Sequence, residues 1–493
     1  MSHLTDEMRG FCRLVRAATA ANPFMPERDR LNREIGGPGP GDPFERVEAR
    51  VGEAVGRLRA DGEADIRRFV GGDRELVRVL LLFQVFHEQR AAIDDHIDRQ
   101  AAAGGRALPA PFAPPCLERL ENVGFGPAER AVTLAQFFQL RRAFRFIDQG
   151  LVGRSPAMQR LRADLWTTLF THDFLGYEKR LWNRMEDFSV LLLGETGSGK
   201  GAAAAAVSRA GYIPFDAPAG RFAESFTELF VPVTLSQFAE SLIESELFGH
   251  RKGAFTGAVS DHEGVFGRCR PNGAIFLDEI GELSAPVQIK LLRVLQERVF
   301  SPVGSHEARR FSGRVVAATN RPLDALRRSG RFREDFYYRL CSDEIVVPPL
   351  RRRLGEAPDE MDDLLRVILR RLCGPAGMEL IGEIRAALDR APGPAYAWPG
   401  NVRELEQAVR RILLRGAYRP PEARAPEHEA GGLASALARD VEAGSLDART
   451  LIARYCRMLY ERDGRFAEVA RRTGLDRRTA RRHVVAHPPP GAA

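Results

Sequence analysis

The stretch "LLLGETGSGKG" (191–201) constrains this chain more than any other. Its leucines read as a buried strand, the glycines as a tight turn, and the following "AAAAAVSRA" as a helix. From Gly194 to Lys200 the spacing is G-x-x-x-x-G-K, a phosphate-cradling loop. Gly194, Gly197 and Gly199 let backbone N–H groups turn inward, with Glu195, Thr196 and Ser198 completing the loop. The helix N-terminus adds its positive dipole end, and Lys200 reaches the β- and γ-phosphates. Gly201 stands where Ser or Thr usually follows the lysine, so one direct Mg²⁺ ligand is missing.

A strand–loop–helix unit of this kind belongs in a parallel sheet wound with helices, and the surrounding sequence agrees. Short apolar runs recur at "FSVLLLG", "FVPVTL", "AIFLDE", "RVVAATN" and "EIVVPPL", with helical stretches between them. The run "GAIFLDEIGEL" (273–283) ends in two carboxylates. After a phosphate loop, Asp278 is placed to hold Mg²⁺ and Glu279 to polarise an attacking water. The run "RVVAATNRP" (314–322) ends on Asn320, which on a neighbouring strand can sense a γ-phosphate. These elements predict ATP hydrolysis, with ATP and Mg²⁺ as cofactors.

The chain has 493 residues, room for about three domains. No run of 18 apolar residues occurs and the first residues lack an apolar signal core, so a cytoplasmic protein is expected. Six scattered cysteines show no metal-like spacing and are expected to stay reduced. The net charge of +7 permits nucleic-acid binding without requiring it. Arginine is the default cation here, with only four lysines among 73 basic residues, so only clustered or motif-borne arginines are informative. Residues 1–150 read as helical with no recognisable chemical site, and His87 and His96 are expected on a solvated helix face.

Together with "ESELFGHRKGAFTGA" (244–258), these motifs resemble the central domain of bacterial enhancer-binding proteins, the AAA+ activators of sigma-54 RNA polymerase. The resemblance runs from "LVGRSPAMQRL" (151–161) to "WPGNVRELEQAVRR" (398–411). It implies that Gly253, Ala254, Phe255, Thr256, Gly257 and Ala258 form a mobile loop touching sigma-54 when ATP is bound. It also implies trans-acting fingers at Arg333 and Arg339 in "GRFREDFYYRL", and a nucleotide-contacting lid arginine at Arg403. Such a finger contributes ~10³–10⁵-fold in rate and comes from the next subunit, so a homo-oligomeric ring, typically a hexamer, is implied.

The chain also departs from that family. The residue after the loop lysine is commonly Glu there, and here it is Gly201. Thr234 stands where the family usually has an Asn that restrains the catalytic Glu. Two segments are longer than usual, around "APAGRFAESFTE" (217–228) and "THDFLGYEKRLWNRMED" (171–187).

The C-terminal "RFAEVARRTGLDRRTARRHVVA" (465–486) fits helix, turn at Gly474, helix, and resembles a Fis-type helix-turn-helix. An upstream helix is expected to present Leu451, Ile452, Tyr455, Cys456 and Leu459 on one face to complete a three-helix unit. Arg477, Arg478, Thr479, Arg481 and Arg482 are the candidates for base and phosphate contacts in double-stranded DNA.

The expected architecture is an α/β P-loop AAA+ core with a helical lid, a mainly helical N-terminal region and a C-terminal helix-turn-helix domain. The expected boundaries are 1–150 (helical, regulatory), 151–350 (AAA+ α/β), 351–418 (lid), 419–445 (linker, with "RPPEARAPEHEAGG") and 446–487 (DNA binding). The expected function is ATP-driven activation at sigma-54 promoters from an upstream DNA site, without membrane attachment. Two alternatives stay open: a remodelling ATPase with another protein target, and a nucleotide-switched DNA-binding repressor.

Overall fold

A computed structural model describes residues 2–420 and 444–486, with Leu437, Asp440 and Val441 between them. Most of the expected linker therefore lies outside the described residues, as does residue 487 of the expected DNA-binding domain. The described chain forms two compact units, Met1–Tyr418 and Arg419–Ala493.

In the first unit the five apolar runs are strands of one parallel sheet: β1 (Val190–Leu193), β4 (Phe230–Thr234), β5 (Ala274–Asp278), β8 (Arg314–Thr319) and β9 (Asp343–Val346). Their order is β4-β5-β8-β1-β9, every pairing parallel. Two short antiparallel hairpins lie outside it, β2 (Phe215–Asp216) with β3 (Arg221–Phe222) and β6 (Val299–Phe300) with β7 (Arg309–Arg310). Because side chains alternate along a strand, the sheet feeds two cores. Leu191, Ile275, Leu277, Val315 and Ala317 point into one, while Val190, Leu192, Phe276, Val316 and Ala318 point into the other. Strands buried on both faces read as unbroken apolar runs, which is why the sequence exposed them so clearly.

Residues 1–150 are helical throughout: α1 (Asp6–Ala20), α2 (Pro26–Gly36), α3 (Pro43–Ala60), α4 (Gly71–Ala103), α5 (Ala113–Asn122) and α6 (Pro127–Gly150). Next come α7 (Pro156–Phe170), α8 (Phe174–Arg180) and α9 (Lys200–Arg209), the helix that follows the phosphate loop. The helices α10 (Glu240–Phe248), α11 (Val265–Arg268), α12 (Ala285–Glu297), α13 (Leu323–Arg328) and α14 (Glu334–Leu340) alternate with the remaining strands. A helical lid follows, comprising α15 (Leu350–Glu356), α16 (Glu360–Cys373), α17 (Ile381–Arg390) and α18 (Asn401–Arg415), with its own core around Leu365, Leu405 and Val409.

The lid is tied to the segment "LVGRS" by a buried ion pair. Arg353 meets Glu360 with both side chains almost inaccessible to water. The Glu360 carboxylate also accepts the N–H groups of Arg154 and Ser155 (2.9 and 2.8 Å), and Arg353 donates to the Val152 carbonyl (2.6 Å). A buried charge pair is tolerated when its remaining hydrogen-bonding positions are filled in this way.

The N-terminal helices attach through the segments 171–187 and 217–228. In 217–228, Phe222 stacks on Phe138 of α6 at 3.9 Å and Phe226 packs on Phe146 at 5.3 Å. Ser225 donates to the Gly104 carbonyl (2.8 Å) and accepts from Gln100 (3.0 Å). In 171–187, α8 places Glu178 against Arg78 and Lys179 against Glu75 (2.5 and 2.7 Å). The Tyr177 hydroxyl there donates to Gln139 at 2.8 Å. A third link is Arg142 of α6, fully buried over the Phe138 ring, which donates to the carbonyls of Arg209 and Gly211 (2.5 and 2.7 Å). It thereby caps the C-terminus of α9.

One expectation for this region is corrected. His87 and His96 lie inward, not on a solvated face. His96 is 1% exposed among Phe112, Phe138 and Phe222, and burial pushes its pKa down to about 4, so it packs as a neutral ring. Its partner Phe222 lies more than a hundred residues away, invisible to local periodicity. Among the described residues no cluster of metal-ligating side chains occurs, and no helix is long and apolar enough to cross a membrane.

The second unit contains the helices Ala448–Asp463, Phe466–Thr473 and Arg477–Ala486 around Cys456, Leu459, Val469, Ala480 and Val484. Here too the face shifts: Ala453, Cys456 and Leu459 are buried, whereas Ile452 and Tyr455 are each 40% exposed. The small Ala453 lets the neighbouring helices approach, which a reading based on large apolar residues misses.

Phe222→Ala removes the stacked ring that anchors the inserted segment, at an expected cost of about 3–5 kcal/mol. Thermal unfolding followed by circular dichroism should show a clearly lowered midpoint, and Phe222→Leu should retain most of the loss.

Candidate nucleotide site and loop

Parallel strands deliver their following residues to one edge, and the chemistry gathers there. Gly194, Gly197 and Gly199 all have positive φ (157°, 76° and 110°). Gly197 is required twice over, because a Cβ there would lie 2.4 Å from the Gly400 carbonyl oxygen. Lys200 at the start of α9 is buried, and its Nζ donates to the carbonyls of Gly194 and Glu195 (2.8 and 3.0 Å). Burial lowers its pKa, while the neighbouring charges of Asp278 and Glu279 act in the opposite sense. Gly201, next along α9, is exposed and offers no side chain.

Asp278 ends β5, and burial raises its pKa against the opposing pull of Lys200. Glu279 follows in the left-handed region (φ 62°), its N–H bonded to the Asp278 carboxylate at 3.0 Å. That turn sends the two carboxylates in different directions from adjacent positions. Asn320 leaves β8 and donates to the Thr196 hydroxyl at 2.8 Å, linking the third strand to the phosphate loop. Thr234 ends β4 in register with Asp278. No hydrogen bond joins Thr234 to Glu279 among the described residues.

The lid closes on the loop through residues the sequence reading did not single out. Asn401 donates from its amide to the Glu195 carboxylate and the Thr196 carbonyl (both 3.1 Å), and its own Oδ1 accepts from Leu350 N–H (2.7 Å). Val402 N–H donates to the Gly197 carbonyl at 3.1 Å. Arg351 grips Glu195 with two bonds (2.8 and 2.6 Å), holding its carboxyl below the usual range. Glu195 is thus directed to the lid. Asn401 has a left-handed φ of 53°, so an Asn directly after "PG" was the available signal; Arg351 sits among three consecutive arginines and gave none. Arg403, one turn into α18, lies near enough to Lys200 and Asp278 to influence both charges.

The fit to a nucleotide phosphate rests on one orphan. Ser198 Oγ is buried in the glycine loop with no hydrogen-bond partner. A donor stranded among turned backbone N–H groups matches phosphate oxygens.

Arg333 and Arg339 are held within the chain. Arg333 pairs with Asp335 through two bonds (3.0 and 2.8 Å), and Arg339 donates to the Leu295 carbonyl (2.9 and 2.8 Å).

The hexapeptide forms a tight loop beyond α10. Its base is pinned: His250 and His262 exchange backbone bonds, Arg251 N–H donates to the Val303 carbonyl, and the Arg251 side chain pairs with Asp261 and Glu307. Gly253 and Gly257 have φ of 82° and 103°, and Gly253 N–H reaches the Ala258 carbonyl (2.8 Å). Ala258 is buried, Ala254 packs against Gly304, and Thr256 is exposed. Phe255 is 37% exposed, resting edge-on against His250 at 4.9 Å. It is an aromatic tip on a turn with positive-φ glycines on both sides.

In the C-terminal unit, Asp476 accepts the N–H groups of Arg478 and Thr479 (both 3.0 Å) and caps the last helix. Arg477, Arg478, Arg481 and Arg482 are exposed there and form no ion pair among the described residues, while Arg471 and Arg472 are tied to Glu468. Thr479 is half-buried beside them.

The family model for the Sigma-54 interaction domain matches residues 178–346. The DNA-binding transcriptional regulator NtrC of Azospirillum brasilense is 39% identical over 262 residues, 53% of this chain and 47% of that protein. The Nif-specific regulatory protein of Azotobacter vinelandii is 42% identical over 281 residues, 56% of this chain and 47% of the relative. The chain thus spans about half the length of the curated relatives it matches. A solved structure of NtrX from Brucella abortus is 21% identical with a TM-score of 0.41, over 75% of this chain and 78% of that one. Residues 178–346 match the Sigma-54 interaction domain on an α/β AAA+ core, and the chain is similar over about half its length to these bacterial transcriptional regulators.

Proposed function

We propose that this chain activates transcription by sigma-54 RNA polymerase, using ATP hydrolysis to drive the Phe255 loop against its partner. The observation that supports it most is the pairing of an intact GAFTGA loop, its Phe255 and Thr256 exposed, with Lys200, Asp278, Glu279 and Asn320 at one edge of the same α/β sheet. The C-terminal helix carrying Arg477, Arg478, Thr479, Arg481 and Arg482 would hold the protein at an upstream DNA site in the major groove.

The loop from Gly194 to Gly201 would bind the phosphates of ATP, with Lys200 exchanging its loop carbonyls for β- and γ-phosphate oxygens. Arg403 would close on the same phosphates from the lid. Asp278 would hold Mg²⁺, which when bound neutralises the charge developing on the transferred phosphoryl group. Glu279 would accept a proton from the attacking water. Asn320, already bonded to Thr196, would report whether the γ-phosphate is present. Thr234, at the end of the adjacent strand, is the residue through which contact at the loop would be relayed to Glu279. Arg333 and Arg339 would serve the neighbouring subunit of a hexameric ring, which requires both to give up the partners they hold within the chain. Hydrolysis would occur in the cytoplasm, where the polymerase is.

Two variants separate the steps. Glu279→Gln should bind ATP normally while turnover falls about 10²–10⁴-fold, as expected for loss of a general base; fluorescent-nucleotide binding and phosphate release measure the two. Phe255→Ala should retain ATP turnover within about twofold of the parent, because the tip touches no nucleotide group, yet lose open-complex formation by sigma-54 polymerase. Normal open-complex formation by Phe255→Ala would refute the loop assignment. ATP binding without turnover in the parent chain would favour a nucleotide-switched repressor, and turnover without any effect on polymerase a different protein target.

A further inference from the structure

A cavity of about 480 Å³ lies inside the N-terminal helical region, and nothing in the ATPase reading uses it. Its volume is that of a small-molecule site. The walls come from α2, α4 and α6 on one side and from α7 and α8 on the other, so it is bounded by both the N-terminal helices and the start of the α/β unit. Aromatic rings dominate the lining, Phe83, Phe86, Phe137 and Trp166 among them.

The polar groups in this wall are few, and two on α2 are left short of partners. Three arginines line the cavity. Arg141 is paired with Asp94 through two bonds (2.6 and 2.7 Å), and Arg90 lies 3.4 Å from Glu48. Arg28 has no carboxylate partner among the described residues; one of its Nη groups donates to the Ala18 carbonyl. Burial lowers its pKa to about 10, with the charge of Asp29, also in the wall, acting in the opposite sense. One turn further along, Asn32 is 9% exposed and its Oδ1 accepts no hydrogen bond. Positions 28 and 32 share a helix face, so a guanidinium without a carboxylate hydrogen bond and an unfilled acceptor sit one turn apart beside an aromatic wall.

We propose that this cavity binds a small planar aromatic carboxylic acid that carries a hydroxyl or amino donor. The carboxylate pairs with Arg28, the donor fills Asn32 Oδ1, and the ring system lies against the phenylalanines. A charge-assisted pair and a filled buried acceptor supply orientation, and the rings supply the contact area. A single benzene ring leaves part of this volume empty, so a fused bicyclic acid fits better than benzoate. The site also has a route to the ATPase: Gln139 in its wall holds the Tyr177 hydroxyl, and one turn on from Gln139, Arg142 caps α9.

The test is titration of 6-hydroxy-2-naphthoate into the full chain, followed by calorimetry and by quenching of Trp166, one of three tryptophans. The expected result is saturable binding of one molecule per chain with a raised unfolding midpoint. Naphthalene-2-carboxylate, 2-naphthol and decanoate, lacking the donor, the carboxylate and the ring respectively, should each bind at least ~10-fold more weakly, the effect of losing one charge-assisted or buried hydrogen bond or the aromatic contact. Arg28→Met should weaken the hydroxynaphthoate by a similar factor, and Leu82→Trp, which fills the cavity, should abolish its binding while circular dichroism stays that of the parent. No saturable binding to the parent chain would overturn the proposal. So would equal binding of decanoate, or unchanged binding in Arg28→Met. Because none of these measurements involves ATP or polymerase, their failure leaves the transcriptional reading untouched, and the reverse.

Discussion

Five parallel strands in the order β4-β5-β8-β1-β9 set everything else in the first unit. Since all run the same way, Thr234, Asp278, Asn320 and the loop before Lys200 emerge at one edge, although more than 120 residues separate that loop from Asn320 in sequence. The apolar side chains on both faces hold the strands in register. At that edge the opposite charges of Lys200 and Asp278 face each other in partial burial, each shifting the other's proton affinity. The arrangement is compact, buried and charged, which suits a site built for phosphate and a divalent cation.

One helix connects that edge to the N-terminal region. The N-terminus of α9 carries Lys200, and its C-terminus is capped by Arg142 of α6. A helix of ten residues spans ~15 Å, so the two contacts lie that far apart along one element. Around this cap, the inserted segment contributes Phe222 and Phe226 to the N-terminal core and α8 adds ion pairs to α4. The segments 171–187 and 217–228 are therefore attachment points. They make the N-terminal helices continuous with the ATPase core, and the aromatic cavity lies within the joint.

Much of the core was legible because its signals are local. Apolar runs gave all five strands of the sheet, and the phosphate loop and the strand-end carboxylates were marked by spacing alone. What stayed hidden depended on partners far away in sequence. His96 looked solvated until Phe112, Phe138 and Phe222 surrounded it. The grip of Asn401 and Arg351 on Glu195 joins positions 206 and 156 residues apart. In the C-terminal unit the buried face was read one step off, because Ala453 does the close packing that Ile452 and Tyr455 were expected to do. The hexapeptide's shape was only half legible: glycines at both ends foretold the turn, but not the pinning of its base by Arg251 or the rest of Phe255 on His250.

In the proposed cycle, nucleotide state controls what the Phe255 loop can touch. The most direct measurement is binding of the full chain to purified sigma-54 in the presence of ADP with aluminium fluoride, of ADP alone, or of no nucleotide. The account requires a stable complex only with the transition-state mimic, where Lys200, Asp278 and Asn320 are all engaged. Equal binding in all three conditions would contradict it.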